Sequence, residues 1–190
     1  MLRRRKFGEP LEANGSAPER RHLISVRLKN TIGALNRVCN LFSARGFNLE
    51  SVAVGATAQA DVARMTLATS GSDHLVDQVT CQLDGLIDTY EVVNLTEHEY
   101  VERELCLLKV KYTSENRSTI MDTLDIFRGK VVDVSPVHMT FEVTGPTKKI
   151  NAFVGMMEPH DIQEIVRSGR VAMRRAMHYE NGVGENNTQQ

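Results

Sequence analysis

His22-Leu23-Ile24-Ser25-Val26-Arg27-Leu28-Lys29 runs into Asn30-Thr31-Ile32-Gly33 and then Ala34-Leu35-Asn36-Arg37-Val38. Ile24, Val26 and Leu28 alternate with Ser25, Arg27 and Lys29, the period of a half-buried strand. Leu35, Val38, Leu41 and Phe42 then recur at helical spacing, and Gly46 stands where a helix ends after Arg45. The change of period places a tight turn at 30–33. Residues 47–57 read as a second strand, followed by a turn at Ala58-Gln59-Ala60. Residues 61–69 are a third, with Ala63, Met65 and Leu67 on one face. Ser70-Gly71-Ser72-Asp73 is a turn and helix cap ahead of Leu75, Val76, Val79 and Leu83, and 86–95 is a fourth strand. The order is βαββαβ.

After a polar stretch carrying Glu97, His98, Glu99 and Tyr100, the order repeats. Residues 104–112 form a strand on Leu105, Leu107, Leu108 and Val110. Residues 114–127 suit a helix with Ile120, Leu124 and Phe127 on one stripe and Gly129 after it. Strands at 131–134 and 137–143 hinge at Ser135-Pro136, and Pro146 starts a helix containing Ile150, Phe153 and Val154. Residues 162–166 are the last strand, before Arg167-Ser168-Gly169-Arg170. The expected class is α+β, two ferredoxin-like units, each a four-stranded antiparallel sheet with both helices on one face. The expected boundaries are a flexible arm at 1–21, a first unit at 22–96, a linker at 97–101, a second unit at 102–177 and a polar tail at 178–190. The other face of the first sheet carries Ser25, Arg27, Ala53, Thr66 and Ala68 and is expected to pair against another copy of the chain.

Composition narrows the function. Among 190 residues, 23 Lys and Arg nearly balance 24 Asp and Glu, which argues against a basic nucleic-acid surface. Trp is absent, and neither the first nor the third strand holds an aromatic residue, so the base-stacking use of this topology is not expected. The phosphate-cradling loop of the acylphosphatase type is not evident. No apolar run approaches the roughly 20 residues of a membrane helix. Met1-Leu2-Arg3-Arg4-Arg5-Lys6 has no apolar stretch behind it and is not a secretory signal. Cys39, Cys81 and Cys106 are odd in number and form no C-x-x-C, so they are read as small buried hydrophobes in a reducing cytoplasm. The six histidines are scattered, and Glu97-His98-Glu99 reads as solvated linker. No catalytic residue and no metal ligand is expected.

The turn at 30–35 holds the most chemistry. It joins a strand end to a helix start, where free N–H groups and the helix dipole favour a carboxylate. Gly33 lets a ligand approach the backbone, and the amide of Asn30 serves an ammonium or a carboxylate. Asn48, at the start of the second strand, is expected to face the same pocket, with Ile32, Leu35, Val52 and Val54 as apolar walls. That set suits a small apolar α-amino acid. On pattern alone the bland reading stays open, in which Asn30 caps the turn and Gly33 permits it.

The run from Leu28 to Val38, followed by Leu41-Phe42-Ser43-Ala44-Arg45-Gly46-Phe47-Asn48-Leu49-Glu50-Ser51, resembles the ACT domain of the acetolactate synthase small subunit. Val101-Glu102-Arg103-Glu104-Leu105, Val132-Asp133-Val134-Ser135 and Ile165-Val166-Arg167-Ser168-Gly169 extend the resemblance to both units, roughly 22–175. The resemblance implies a non-catalytic, cytoplasmic regulatory subunit of a transferase complex in branched-chain amino acid biosynthesis. Its separate large (catalytic) subunit is expected to carry thiamine diphosphate, Mg and FAD and to condense two pyruvates, or pyruvate with 2-oxobutyrate. The small chain is expected to activate it and to confer feedback inhibition by valine, bound where the ACT domains of a homodimer meet. Asn30, Gly33 and Asn48 match the family's effector positions, with Ile32, Ala34 and Leu35 in the same turn; Asn36 stands where some relatives have serine. The competing reading is a free-standing ACT-domain sensor acting on another enzyme or on transcription.

Overall fold

The computed structural model describes residues 20–176. Residues 1–19 of the expected arm and the tail at 178–190 lie outside the described residues. Arg20 and Arg21, assigned to that arm, already belong to the first strand, with Arg20 opposite Gly71.

Six elements make the first βαββαβ unit: β1 (Arg20–Lys29), α1 (Ala34–Ala44), β2 (Leu49–Ala56), β3 (Val62–Gly71), α2 (Asp73–Asp84) and β4 (Thr89–Asn94). The strand order is β2-β3-β1-β4, with antiparallel pairing throughout. Its core joins Ile24, Val26 and Leu28 of β1 to Met65 and Leu67 of β3, Val38 and Phe42 of α1, and Val76, Val79 and Leu83 of α2. Burying each large side chain contributes about 1.5–3 kcal/mol, which is what holds the two amphipathic helices to the sheet. Leu75, expected on the apolar face, is exposed. The buried stripe of α2 runs through Val76, Val79 and Leu83, and Leu75 sits one residue, about 100°, round from it. Cys81 is exposed on the same helix and Cys39 is half-buried, so of the three cysteines only Cys106 is a core residue.

Gly46 ends α1 as its position suggests, with φ +72 and the Phe47 N–H donating to Phe42 O. The two phenylalanine rings then meet edge-on, centroids 6.1 Å apart.

The order repeats in β5 (Tyr100–Lys111), α3 (Arg117–Ile126), β6 (Lys130–Val134), β7 (His138–Gly145), α4 (Thr147–Met157) and β8 (Ile162–Arg167), with strands in the order β6-β7-β5-β8. A second core of Leu108, Val110, Ile120, Leu124, Phe141 and Phe153, among others, lies under α3 and α4. Here the glycine after the helix has a different task. Arg128, at φ 51, takes the left-handed position, and Gly129 lies against the core. A Cβ on Gly129 would overlap Leu124 Cδ1 and come within 2.8 Å of Val143 Cγ2. Gly129→Ala is therefore expected to lower stability by about 1–3 kcal/mol, as other added methyls in packed sites do. The check is a lower urea midpoint at unchanged slope; a wild-type midpoint would mean that the turn yields to the methyl.

The chain divides into two compact units, 20–105 with 167–176 and 106–166, so the boundary falls inside β5. The stretch expected as a linker at 97–101 holds the end of a short 3-10 turn (Leu95–Glu97) and the start of β5. The cause is a strand that the periodicity did not reveal, β9 (Val171–Arg174), which pairs with β5 from Tyr100↔Arg174 to Arg103↔Val171. Ala172 of β9 meets Leu23, Ala68 and Leu95 in a small apolar cluster. That part of the second sheet face is thus covered by the chain itself, and Ser25, Thr66 and Ala68 are buried without another copy. Beside β9, Glu104 is buried and accepts two hydrogen bonds from Arg167, at 2.7 and 2.6 Å. Such forked pairing compensates the charge of the buried carboxylate, while the Arg167 side chain stays partly exposed.

Candidate effector site

The turn after β1 is anchored by backbone bonds to two neighbouring loops. The Lys29 N–H donates to Asp88 O and the Asn30 N–H to Asp61 O, both at 2.7 Å. Thr31 N–H returns to Lys29 O, and Ala34 N–H to Thr31 O at 3.2 Å. Gly33 caps α1 from the left-handed region, φ +84, and its carbonyl accepts from Arg37 N–H at 3.0 Å. Among the described residues no side chain caps α1, and no acidic residue stands in its first turn. The N–H groups of Gly33, Leu35 and Asn36 consequently have no acceptor among the described residues. Ile32 is fully exposed at 102% and Leu35 is 46% exposed, two apolar side chains beside unpaired donors.

Arg37 was not singled out in the sequence. It pairs with Asp88, and a Cβ on Gly33 would lie 3.2 Å from Arg37 Nη1. A cation in a helix's first turn opposes the helix dipole, and that mismatch is the signal by which Arg37 could have been noticed.

Asn30, Ile32, Gly33 and Leu35 thus share one turn. Ala34 does not project with them: it is buried, and its methyl packs in the core with Val38 and Phe42. Asn48 is also elsewhere. It precedes β2, where its carbonyl accepts the Thr69 hydroxyl at 2.8 Å. β3 lies between β1 and β2. Lys29 stands opposite Val62, whereas Leu49 stands opposite Thr69, seven residues further along β3 and about 23 Å away at the usual strand rise. Within one chain the turn and Asn48 occupy opposite ends of the sheet, so the expected shared pocket does not exist there. Val52 and Val54 lie on β2, the edge strand, and are both exposed.

Residues 24–91 match a family model described as the AHAS small subunit-like ACT domain, and residues 103–176 match one described as the small subunit of acetolactate synthase. The acetolactate synthase small subunit of Aquifex aeolicus is 46% identical over 160 residues, 83% of this chain and 83% of that one. The chain belongs to the acetolactate synthase small-subunit family. The small subunit of Haemophilus influenzae is 42% identical over 156 residues, covering 82% of this chain and 96% of its own. The crystal structure of the Thermotoga maritima small subunit superimposes with a TM-score of 0.75 at 36% identity, over 82% of this chain and 98% of that chain. The similarity to small subunits therefore runs through both ferredoxin-like units and includes the turn at Gly33 and Asn48. Among the described residues, no helix is long and apolar enough to cross a membrane, and no group of three His, Cys, Asp or Glu could hold a metal ion.

Proposed function

We propose that this small-subunit chain is a non-catalytic, cytoplasmic regulator that activates a separate acetolactate synthase large subunit and makes it sensitive to valine. The observation that supports a ligand at the turn is the conjunction at Gly33: a left-handed glycine, unpaired N–H groups at the start of α1, and the exposed Ile32 and Leu35 beside them. Donors at a helix start suit the carboxylate of an amino acid, the amide of Asn30 suits its ammonium group, and the two apolar side chains suit a branched alkyl group. Ala34 contributes its place in the turn rather than its methyl.

Asn48 joins this site from a second copy. β2 is an exposed edge carrying Val52 and Val54, the kind of edge that invites pairing. Antiparallel pairing of β2 with its symmetry mate across a two-fold axis brings the start of one β2 level with the end of the other. The end of β2, where Ala56 faces Ala63, is level with the end of β1, where Lys29 faces Val62. Asn48 of one chain therefore approaches the Asn30 turn of its mate. Valine held across the two chains favours one dimer geometry, and the large subunit responds to that preference; couplings of this kind are typically about 1–3 kcal/mol. Thiamine diphosphate, Mg and FAD belong to the large subunit in this reading.

The test is to add the purified chain to its cognate large subunit and measure acetolactate formation with valine, leucine or isoleucine present. Activation together with inhibition, strongest by valine, is expected. Amino-acid binding without any change in rate would overturn the reading in favour of a free-standing sensor.

A further inference from the structure

On the sheet face away from α1 and α2, Arg27 of β1 stands directly opposite Arg64 of β3. Like charges placed opposite one another across a strand pair are destabilising. On its other side Arg64 faces Gly55 of β2, which has no side chain to offer. Arg27 finds partial compensation, reaching Glu91 at 3.5 Å and Gln59 Oε1 at 3.2 Å. The half-buried Arg64 guanidinium has no hydrogen-bond or ion-pair partner among the described residues. A third guanidinium, Arg103 of β5, donates to the carbonyl of its neighbour Glu102 at 2.7 Å.

These three arginines line one open groove of about 630 Å³, within the compact unit of 20–105 with 167–176, and among the described residues no acidic one lines it. The rest of the wall is largely apolar. β9 turns Ala172 inward and leaves Val171 and Met173, 54% and 60% exposed, on the groove with Val101. A concave apolar surface with a few convergent polar groups, of a volume in the range of about 300–1,000 Å³, has the character of a small-molecule site. Guanidinium groups recognise carboxylate and phosphate oxygens through paired N–H donors.

We propose that this groove binds a small organic anion with an apolar body, a carboxylate or a phosphate ester, at a site separate from the Asn30 turn. The anionic head lies between Arg27 and Arg64 and relieves their repulsion. Arg103 closes the charge, and the body lies along Val101, Val171 and Met173.

The test uses the full-length chain with hexyl phosphate and hexanoate as probes, read by titration calorimetry and by the Met173 methyl resonance. One saturable site per chain is expected for at least one probe, and their relative affinities tell a phosphate ester from a carboxylate. Inorganic phosphate, lacking the body, should bind at least about tenfold more weakly, and hexylammonium should not bind. Arg64→Gln should weaken the better probe by about tenfold or more, since a charge-assisted contact is lost. Met173→Glu, at an exposed position, should do the same without disturbing the fold, and saturating valine should leave binding unchanged. Absence of saturable binding into the millimolar range, wild-type affinity in Arg64→Gln, or displacement by valine would each overturn the proposal. A groove that rejects both probes while the large subunit perturbs Met173 would also overturn it, in favour of a protein contact.

Discussion

Chains carrying Asn30→Ala, co-expressed with chains carrying Asn48→Ala, are expected to regain a valine sensitivity that neither variant shows alone. Each asparagine is proposed to hydrogen-bond a charged end of the amino acid, and such bonds contribute about 1.5–3 kcal/mol, so either variant by itself should weaken valine about tenfold or more. Both sites of either homodimer are then damaged. In a heterodimer the two substitutions fall on the same site, because in the proposed arrangement Asn30 of one chain works with Asn48 of the other. One site is doubly impaired and its mate is whole. Random pairing makes half the dimers mixed, so about one site in four should bind with wild-type affinity. The measurement is valine titration of the large-subunit complex, with differently tagged chains to verify that mixing has occurred. Verified mixing with no recovered high-affinity fraction would sink the two-chain site.

Gly33→Asp should give a complex that is still activated but at least about 100-fold less sensitive to valine, a loss of about 2.7 kcal/mol. The new carboxylate stands where the effector's own carboxylate is proposed to bind, so the loss is steric and electrostatic together. The backbone cost is separate. Gly33 has φ +84, and any side chain there adds left-handed strain of about 1–2 kcal/mol. The new Cβ also crowds Arg37 Nη1 at 3.2 Å, although that is the far end of a flexible side chain. Gly33→Ala carries the strain without the charge, and should lose much less valine sensitivity than Gly33→Asp at a similar melting temperature. Equal losses in the two variants would assign the effect to the backbone, and normal inhibition of Gly33→Asp would remove the turn from the site.

The first unit's strands and helices were legible because their signals are local. Ile24, Val26 and Leu28 alternate within one strand, Val38 and Phe42 share one helix face, and Gly46 takes the left-handed conformation its position demands. β9 escaped because its pattern is inverted: the small Ala172 is buried and the larger Val171 and Met173 are exposed. The role of Gly129 escaped too, since its constraint is the crowding of Leu124 and Val143 rather than its own φ. The turn at Asn30 was legible as a turn, and hence as the candidate site, because strand end, glycine and helix start are consecutive.

The distance between Asn30 and Asn48 was not legible. They are eighteen residues apart in sequence, and nothing local says that β3 inserts between their strands or that the register sends them to opposite ends of the sheet. The same holds for Arg27 and Arg64, whose opposition across β1 and β3 exists only once the strands are paired. By itself the sequence determined two βαββαβ units, the turn at Gly33 and the absence of a recognisable catalytic motif, because periodicity and turn chemistry act between near neighbours. Strand order, register and the cover that β9 lays on the first sheet were decided by tertiary structure alone, because they follow from which distant segments bury one another's apolar surface.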